Sequence, residues 1–472
     1  MERRIDEWIS AHQEELVADI SRLVTYPSVS RRQEGPYPYG EGCAQALSAM
    51  LEMAGRYGFK TQNVEERCGV VLWENGGKTI GLWGHLDVVP EGNKWSYPPY
   101  QCTRIGDFLI GRGVQDNKGP CVAALYAMRC LRDLGVPMQN SLCQIVGCAE
   151  ETGMDDAQYY VEHENVPDFN IITDCGFPVC YGEKGILEVR LKSKKPFSEA
   201  VARLHGGLVS NMVPDAAEIQ LSRMPAGPFS ETAVWEPAGQ GARLCGKGVS
   251  AHAAFPEGGV NAIEAVCSAV LDTGVLSDSD WDIVDSIRKI CAVSDGSCLG
   301  IDCRDEVSGA LTCVAGKVRT EQRHAVLDLN IRYPIFVPAE GLINALTDAA
   351  GQLGFQVMSC HDSKPNYFDK ESPYVKSLVN TYNRVTGEQA EPFVMGGGTY
   401  ARKIPNAVAY GPGLPVDGSS LKLPEGHGNC HCPDEAQSIP NLLKALKIYI
   451  LALIDLDKVM GKEASEEGSR NR

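Results

Sequence analysis

TIGLWGHLDVVPEG, residues 79–92, is the stretch on which the reading of this chain turns. It opens as a short apolar strand, Thr79–Trp83, and then presents an imidazole, His85, and a carboxylate, Asp87. A buried strand that runs into polar side chains is the habit of an α/β sheet, whose ligand sites lie beyond the carboxyl ends of the strands. Extended backbone sets residues i and i+2 on one side. His85 and Asp87 therefore face together, and Asp87 is placed to hold the second ring nitrogen of a ligating histidine.

Outward from this stretch the pattern repeats. Val70–Trp73, Phe108–Ile110, Ser141–Val146 and Asn170–Thr173 read as further strands, and Gly119–Leu134 as a helix. Such alternation predicts a mostly parallel sheet with both faces covered. Glu150 and Glu151 follow one strand and Asp174 another, while Asp116 lies in the glycine-rich turn GRGVQDNKGP, 111–120. Adjacent carboxylates such as Glu150 and Glu151 suppress each other's ionisation unless a cation is near. A metal resolves this by letting one ligate while the other serves as a base. His431, in GHGNCHCPDE (426–435), adds a second imidazole, and His427 competes for the same place.

Taken singly, each residue has a plainer reading: a helix cap for Asp116, a turn for Asp174, a salt-linked pair for His85 and Asp87. Together, two imidazoles and several carboxylates at strand ends suit zinc, and also manganese or cobalt. Five ligands, one of them able to bridge, suit two ions about 3.5–4 Å apart.

After Lys184 the texture changes. Ile186–Leu191 and Ala325–Ile331 alternate as one-sided strands, with helical stretches such as Asn261–Leu271 between them. The first pattern resumes with GGGT at 396–399 and closes with a helix over Pro440–Ile454. The expected architecture is an α/β catalytic domain over 1–184 and 385–472, interrupted by an α+β lid over 185–384.

Composition narrows the function. With 61 acidic against 44 basic residues and a net charge of −17, the surface repels nucleic acid and anionic membrane, so neither is an expected partner. No run approaches the ~18 apolar residues of a membrane span. The opening MERRIDEWISAHQEELVADISRLV reads as an amphipathic helix, not a secretory signal. Eighteen cysteines without a C-x-x-C pair read as reduced thiols of a cytoplasmic protein.

The motifs GHLDVVPEG (84–92), GRGVQDNKGP (111–120), EETG (150–153), TDCGFPV (173–179) with GEKG (182–185), NMVPD (211–215), GKGVSAHAAFPEGGVNA (246–262), IRYP (331–334), GGGTYAR (396–402) and HCPDE (431–435) run in one order. In that order the chain resembles the co-catalytic zinc peptidases that include acetylornithine deacetylase, succinyl-diaminopimelate desuccinylase, aminoacylase and several dipeptidases. Among these it is most similar to the peptidase V type of dipeptidase.

The resemblance implies two metal ions. His85, Asp116 and Asp174 would hold one, and Asp116, Glu151 and His431 the other, with Asp116 bridging beside a cis peptide. It implies Asp87 as the orienter of His85, Glu150 as general base and His252 as oxyanion stabiliser. Asn211, Arg332, Gly398 and Thr399 would bind substrate. The implied activity is hydrolysis of dipeptides, with N-acyl amino acid deacylation or desuccinylation as the alternative on the same scaffold, and an inactive binding or scaffold homologue as the alternative of another class. A lid of about 200 residues is long enough to supply His252 within one chain, so a monomer is expected. Two departures stand out: Asn117 where a second acid is common, and Gln115 where a small residue is common.

Overall fold

The computed structural model describes residues 1–225, 233–238 and 241–470. Two compact units emerge. The first comprises Met1–Tyr181, Phe368–Phe393 and Gly398–Arg472, and the second Gly182–Tyr367 and Val394–Gly397.

The first unit is built on a sheet ordered Lys60–Val64, Cys68–Trp73, Ser141–Gly147, Thr79–His85, Phe169–Ile172, Ala407–Ala409, then the strand that begins at Cys180. The four central strands, Ser141–Gly147 through Ala407–Ala409, are parallel, and both flanks pair antiparallel. Parallel strands covered on two faces need near-continuous apolar sequence, and Ser141–Gly147 and Phe169–Ile172 are buried throughout. The helix Lys118–Asp133 packs on Thr79–His85 and is itself covered by the helices Glu2–Val24 and Ile439–Arg470. Enclosure on all sides explains why it is buried from Lys118 through Met128, with no polar stripe.

The second unit is α+β. Eight antiparallel strands run in the order Ala233–Ala238, Gly241–Lys247, Ala216–Leu221, Val201–Gly206, Thr312–Glu321, His324–Tyr333, Gly185–Ser193, Phe355–Ser363. Leu187, Val189 and Leu191 face the same core as Leu327, Leu329 and Ile331. The helices Ala262–Leu271, Asp278–Cys291 and Ala339–Gln352 contribute to that core.

One expected boundary moves. The chain rejoins the first unit at Phe368, not at 385. The helix Pro373–Thr386 carries its apolar residues Val375, Leu378 and Tyr382 inward and packs on the long helix Ile439–Arg470. Its amphipathic pattern is that of any surface helix, and only the partner decides which unit it joins. No helix among the described residues is long and apolar enough to cross a membrane.

Candidate metal centre

His85 is the last residue of its strand and is fully buried. Its Nδ1 lies 2.9 Å from the Asp87 carbonyl oxygen and 3.4 Å from Asp87 Oδ1. A carbonyl can only accept, so Nδ1 carries a proton, and Nε2 is the nitrogen turned toward the carboxylates. That Nε2 lies 3.0 Å from Asp116 Oδ1 and 3.6 Å from Asp174 Oδ2. The Asp87 carboxylate is mainly engaged elsewhere: it accepts the backbone N–H of Glu150 at 3.2 Å and of Glu151 at 3.1 Å. It therefore anchors the turn Glu150–Thr152, while the contact with His85 runs chiefly through its carbonyl.

His431 arrives from the far end of the chain in a left-handed conformation, φ 62°. Its Nε2 sits 2.8 Å from Asp116 Oδ2 and 3.1 Å from Glu151 Oε1. Two triads result, His85–Asp116–Asp174 and Asp116–Glu151–His431, each with its ligand-type atoms within 4.8 Å of one another. Asp116 belongs to both, one oxygen directed to each. Glu150 belongs to neither. His427 is occupied with Asp434, Nδ1 to Oδ2 2.7 Å, which separates it from the cluster. Among the described residues, neither Cys430 nor Cys432 joins a triad.

The electrostatics fit cations. Burial, together with Asp116, raises the pKa of Asp174 and of Glu151. Glu150 lies well above the carboxylate range, chiefly through burial, with Asp174, Glu151 and Asp116 adding to it. Hydrogen bonds to Asp116 and Glu151 push His431 up to about 11. At His85, burial opposes protonation, but Asp116, Asp174 and Asp87 outweigh it and the pKa is raised. In the metal-free protein, then, protons occupy positions that divalent ions would satisfy. Glu151 Oε1 is buried without a well-directed hydrogen bond, although it lies 3.1 Å from His431 Nε2. An acceptor of this kind, beside imidazole nitrogens, suits a metal.

Residues to which the sequence alone gave no role hold this arrangement. Glu435 is fully buried; it pairs with Arg112 at 2.8 Å and accepts the backbone N–H of Gly113, Gln115 and Asp116. It thereby shapes the turn that presents Asp116. Asn117 follows Asp116 across a cis peptide. Its Nδ2 donates to Thr173 O at 2.7 Å and to Asp174 Oδ1 at 3.1 Å, and its Oδ1 accepts from His85 N at 3.3 Å. A side chain at Gly84 would collide with this amide. An acid at 117 could not donate to Asp174, so the departure noted in the sequence ties two ligand-bearing strand ends together. Asp156 holds the backbone of Cys148 and Ala149 and the Tyr400 hydroxyl just ahead of Glu150.

Loss of Glu435 gives a stability test. Glu435→Ala leaves Arg112 as an unpaired buried charge and frees three backbone donors, which costs about 3–5 kcal/mol. Urea unfolding is expected to show that fall, and a change under about 1 kcal/mol would contradict the role.

The remaining sequence candidates divide between the units. Thr399 is buried and caps the turn Tyr400–Arg402, its Oγ1 accepting from Ala401 N at 3.1 Å. Gly398 lies against the Arg402 guanidinium. In the second unit, Met212 and His252 pair as an isolated bridge. Ala253 N donates to Asn211 O at 2.8 Å, and Thr312 Oγ1 donates to Ala253 O at 2.7 Å. Thr312 faces Arg332 in the sheet register. The Arg332 guanidinium is buried, with Nε 2.7 Å from Asn330 Oδ1 and Nη1 2.9 Å from Gly396 O. Asn211, His252 and Arg332 are thus linked within the second unit.

The chain is similar to known proteins over most of its length. The model of Peptidase family M20/M25/M40 matches residues 81–455. A Bacillus subtilis (strain 168) protein named "Putative dipeptidase YtjP" is 31% identical over 470 residues, covering 94% of this chain and 98% of its own. Among solved structures, human carnosine dipeptidase 1 matches with a TM-score of 0.59 at 14% identity, over 97% of this chain and 99% of its own. The dipeptidase Dug1p from Saccharomyces cerevisiae matches with a TM-score of 0.59 at 12% identity, over the same 97% and 99%. The two structures bear on the fold alone.

Proposed function

Since the chain belongs to peptidase family M20/M25/M40, we propose that it is a metal-dependent hydrolase of dipeptides, acting in the cytoplasm as a monomer with two zinc ions. The observation that carries this reading is the pair of triads sharing Asp116. Eighteen free thiols accord with a reducing compartment.

His85, Asp116 and Asp174 would hold one ion, and Asp116, Glu151 and His431 the other. Bound there, divalent cations supply carbonyl polarisation and a water whose pKa is lowered toward neutrality. Glu150, half-buried and part of neither triad, takes a proton from the attacking water and returns it to the leaving amine. Asp87 keeps the Glu150–Glu151 backbone in place through its two hydrogen bonds. His252 offers a donor to the developing oxyanion. Arg332 meets the terminal carboxylate with a fork already fixed by Asn330 and Gly396, and Asn211 lies beside His252 in the same unit. Gly398 and Thr399 contribute by shaping the loop that follows Gly397.

A panel of dipeptides, N-acetyl and N-succinyl amino acids tests this after stripping the protein and restoring zinc, manganese or cobalt. Dipeptides are expected to turn over fastest, with zinc sufficient and EDTA abolishing the rate. Faster cleavage of the acylated set would make the protein a deacylase or desuccinylase. Metal uptake without any hydrolysis would make it an inactive homologue.

Metal loading has a defined pH dependence. His431, at about 11, and His85, above the imidazole range, both hold protons at pH 7 in the metal-free protein. Ligation requires the unprotonated ring. Binding therefore releases protons, and apparent affinity rises with pH. Calorimetry in buffers of different ionisation enthalpy is expected to show at least one proton released at pH 7; none released, with affinity flat from pH 6 to 8, would contradict it.

A further inference from the structure

Four consecutive backbone N–H groups, those of residues 148–151, are accepted by two buried carboxylates. Asp156 Oδ2 accepts from Cys148 N at 2.6 Å and from Ala149 N at 2.8 Å. The Asp87 carboxylate accepts from Glu150 N at 3.2 Å and from Glu151 N at 3.1 Å. The same Asp156 oxygen has a third donor, the Tyr400 hydroxyl, at 2.6 Å. Tyr400 is buried, and its ring meets that of His85 edge to face, with centroids 6.4 Å apart and planes at 88°. No side chain fits at Gly147, because a Cβ there would run into the Tyr400 hydroxyl and Asp156 Oδ2. Close approach of the tyrosine is thus built into the end of the strand Ser141–Gly147.

Such a clamp suits the unequal duties of two neighbouring acids. Glu151 belongs to a triad, where an ion would fix its carboxylate. Glu150 belongs to neither, so its aim depends on the backbone that carries it. A misplacement of about 1 Å at a reacting group costs on the order of 100-fold in rate. Burial, with Asp87, pushes Asp156 up to about 6, and Tyr400 and the backbone N–H groups oppose that rise. The hydroxyl therefore helps to keep the acceptor of Cys148 and Ala149 charged, and a charged acceptor makes the stronger bond. Tyr400 also follows Gly398 and Thr399 directly in the chain. Thr399 caps its own turn through Ala401 N, so the shape of that loop does not rest on the hydroxyl.

Resting on the assignment of Glu150 as the base, we infer that Tyr400 is a positioning residue for the reaction. Through Asp156 it holds the backbone of Cys148 and Ala149, and so aims the Glu150 carboxylate at the attacking water.

Tyr400→Phe tests this, since it removes one oxygen and keeps the ring. The zinc-loaded full-length protein is assayed with the fastest dipeptide of the panel above. The expected result is a kcat lower by about 10- to 100-fold, a KM within about twofold of wild type and two metal equivalents retained. The double variant Tyr400→Phe/Glu150→Gln separates aiming from mere support. If Tyr400 acts through Glu150, adding Tyr400→Phe to Glu150→Gln lowers kcat by less than about twofold; independent structural damage would multiply the two losses. The inference is overturned if Tyr400→Phe keeps the wild-type kcat, if it loses a metal equivalent, or if the losses multiply. Normal turnover in Glu150→Gln alone would instead remove the base assignment beneath it, which is a distinguishable result.

Discussion

Asp116→Asn is expected to reduce bound metal from two equivalents to less than one and to lower kcat/KM by at least about a thousandfold. Asp116 directs one oxygen to each triad, Oδ1 toward His85 and Oδ2 toward His431. The amide keeps the shape but removes the charge and replaces one of the two oxygens. Each triad then loses its shared anion. Metal-assisted stabilisation is worth several kcal/mol, and about 1.4 kcal/mol is a factor of ten in rate, which sets the size of the loss. Elemental analysis after dialysis and steady-state kinetics on a dipeptide measure both quantities. Two equivalents retained at wild-type affinity would remove Asp116 from the bridging position.

Glu150→Gln is expected to separate binding from chemistry. Glu150 belongs to neither triad, so two metal equivalents should remain. Turnover should fall by about 10²–10⁴, the usual contribution of a positioned general base. KM for the dipeptide should change little, because the glutamine fills the same volume. Glu151→Gln supplies the contrast: it should lose one metal equivalent, since Glu151 Oε1 lies 3.1 Å from His431 Nε2 in the second triad. Normal turnover in Glu150→Gln would end its assignment as the base, and the loss of a metal equivalent there would make it a ligand instead.

The legibility of the site followed sequence distance. Apolar strands ending in His85, Glu150–Glu151 and Asp174 are local patterns, and their period and termination are visible in a single pass. Residue type and spacing alone left His427 and His431 as competitors in one polar loop, and it was the resemblance that implied His431. The fold separates them through Asp434, whose carboxylate engages His427 and the backbone of Ser96 and Tyr97. The pairing of Arg112 with Glu435 joins residues 323 positions apart. The signal available for it was the HCPDE motif itself, whose last acid had no assigned purpose. Asp87 illustrates a subtler gap. Its spacing from His85 was readable, but its two bonds to the Glu150–Glu151 backbone required the neighbouring strand to lie alongside.

The order and chemistry of the ligand-type residues, the alternation that builds a covered parallel sheet and the change of texture at the second unit were all written in the one-dimensional string. They depend on side-chain period and on residue type, which a linear reading preserves. Which unit the helix Pro373–Thr386 enters, and how Asn117 and Glu435 brace the turn, were decided only by the folded chain. Those outcomes depend on which buried polar groups find partners hundreds of residues away. A hydrogen bond has direction and a reach of about 3 Å, so no linear pattern encodes it until packing has brought its two ends together.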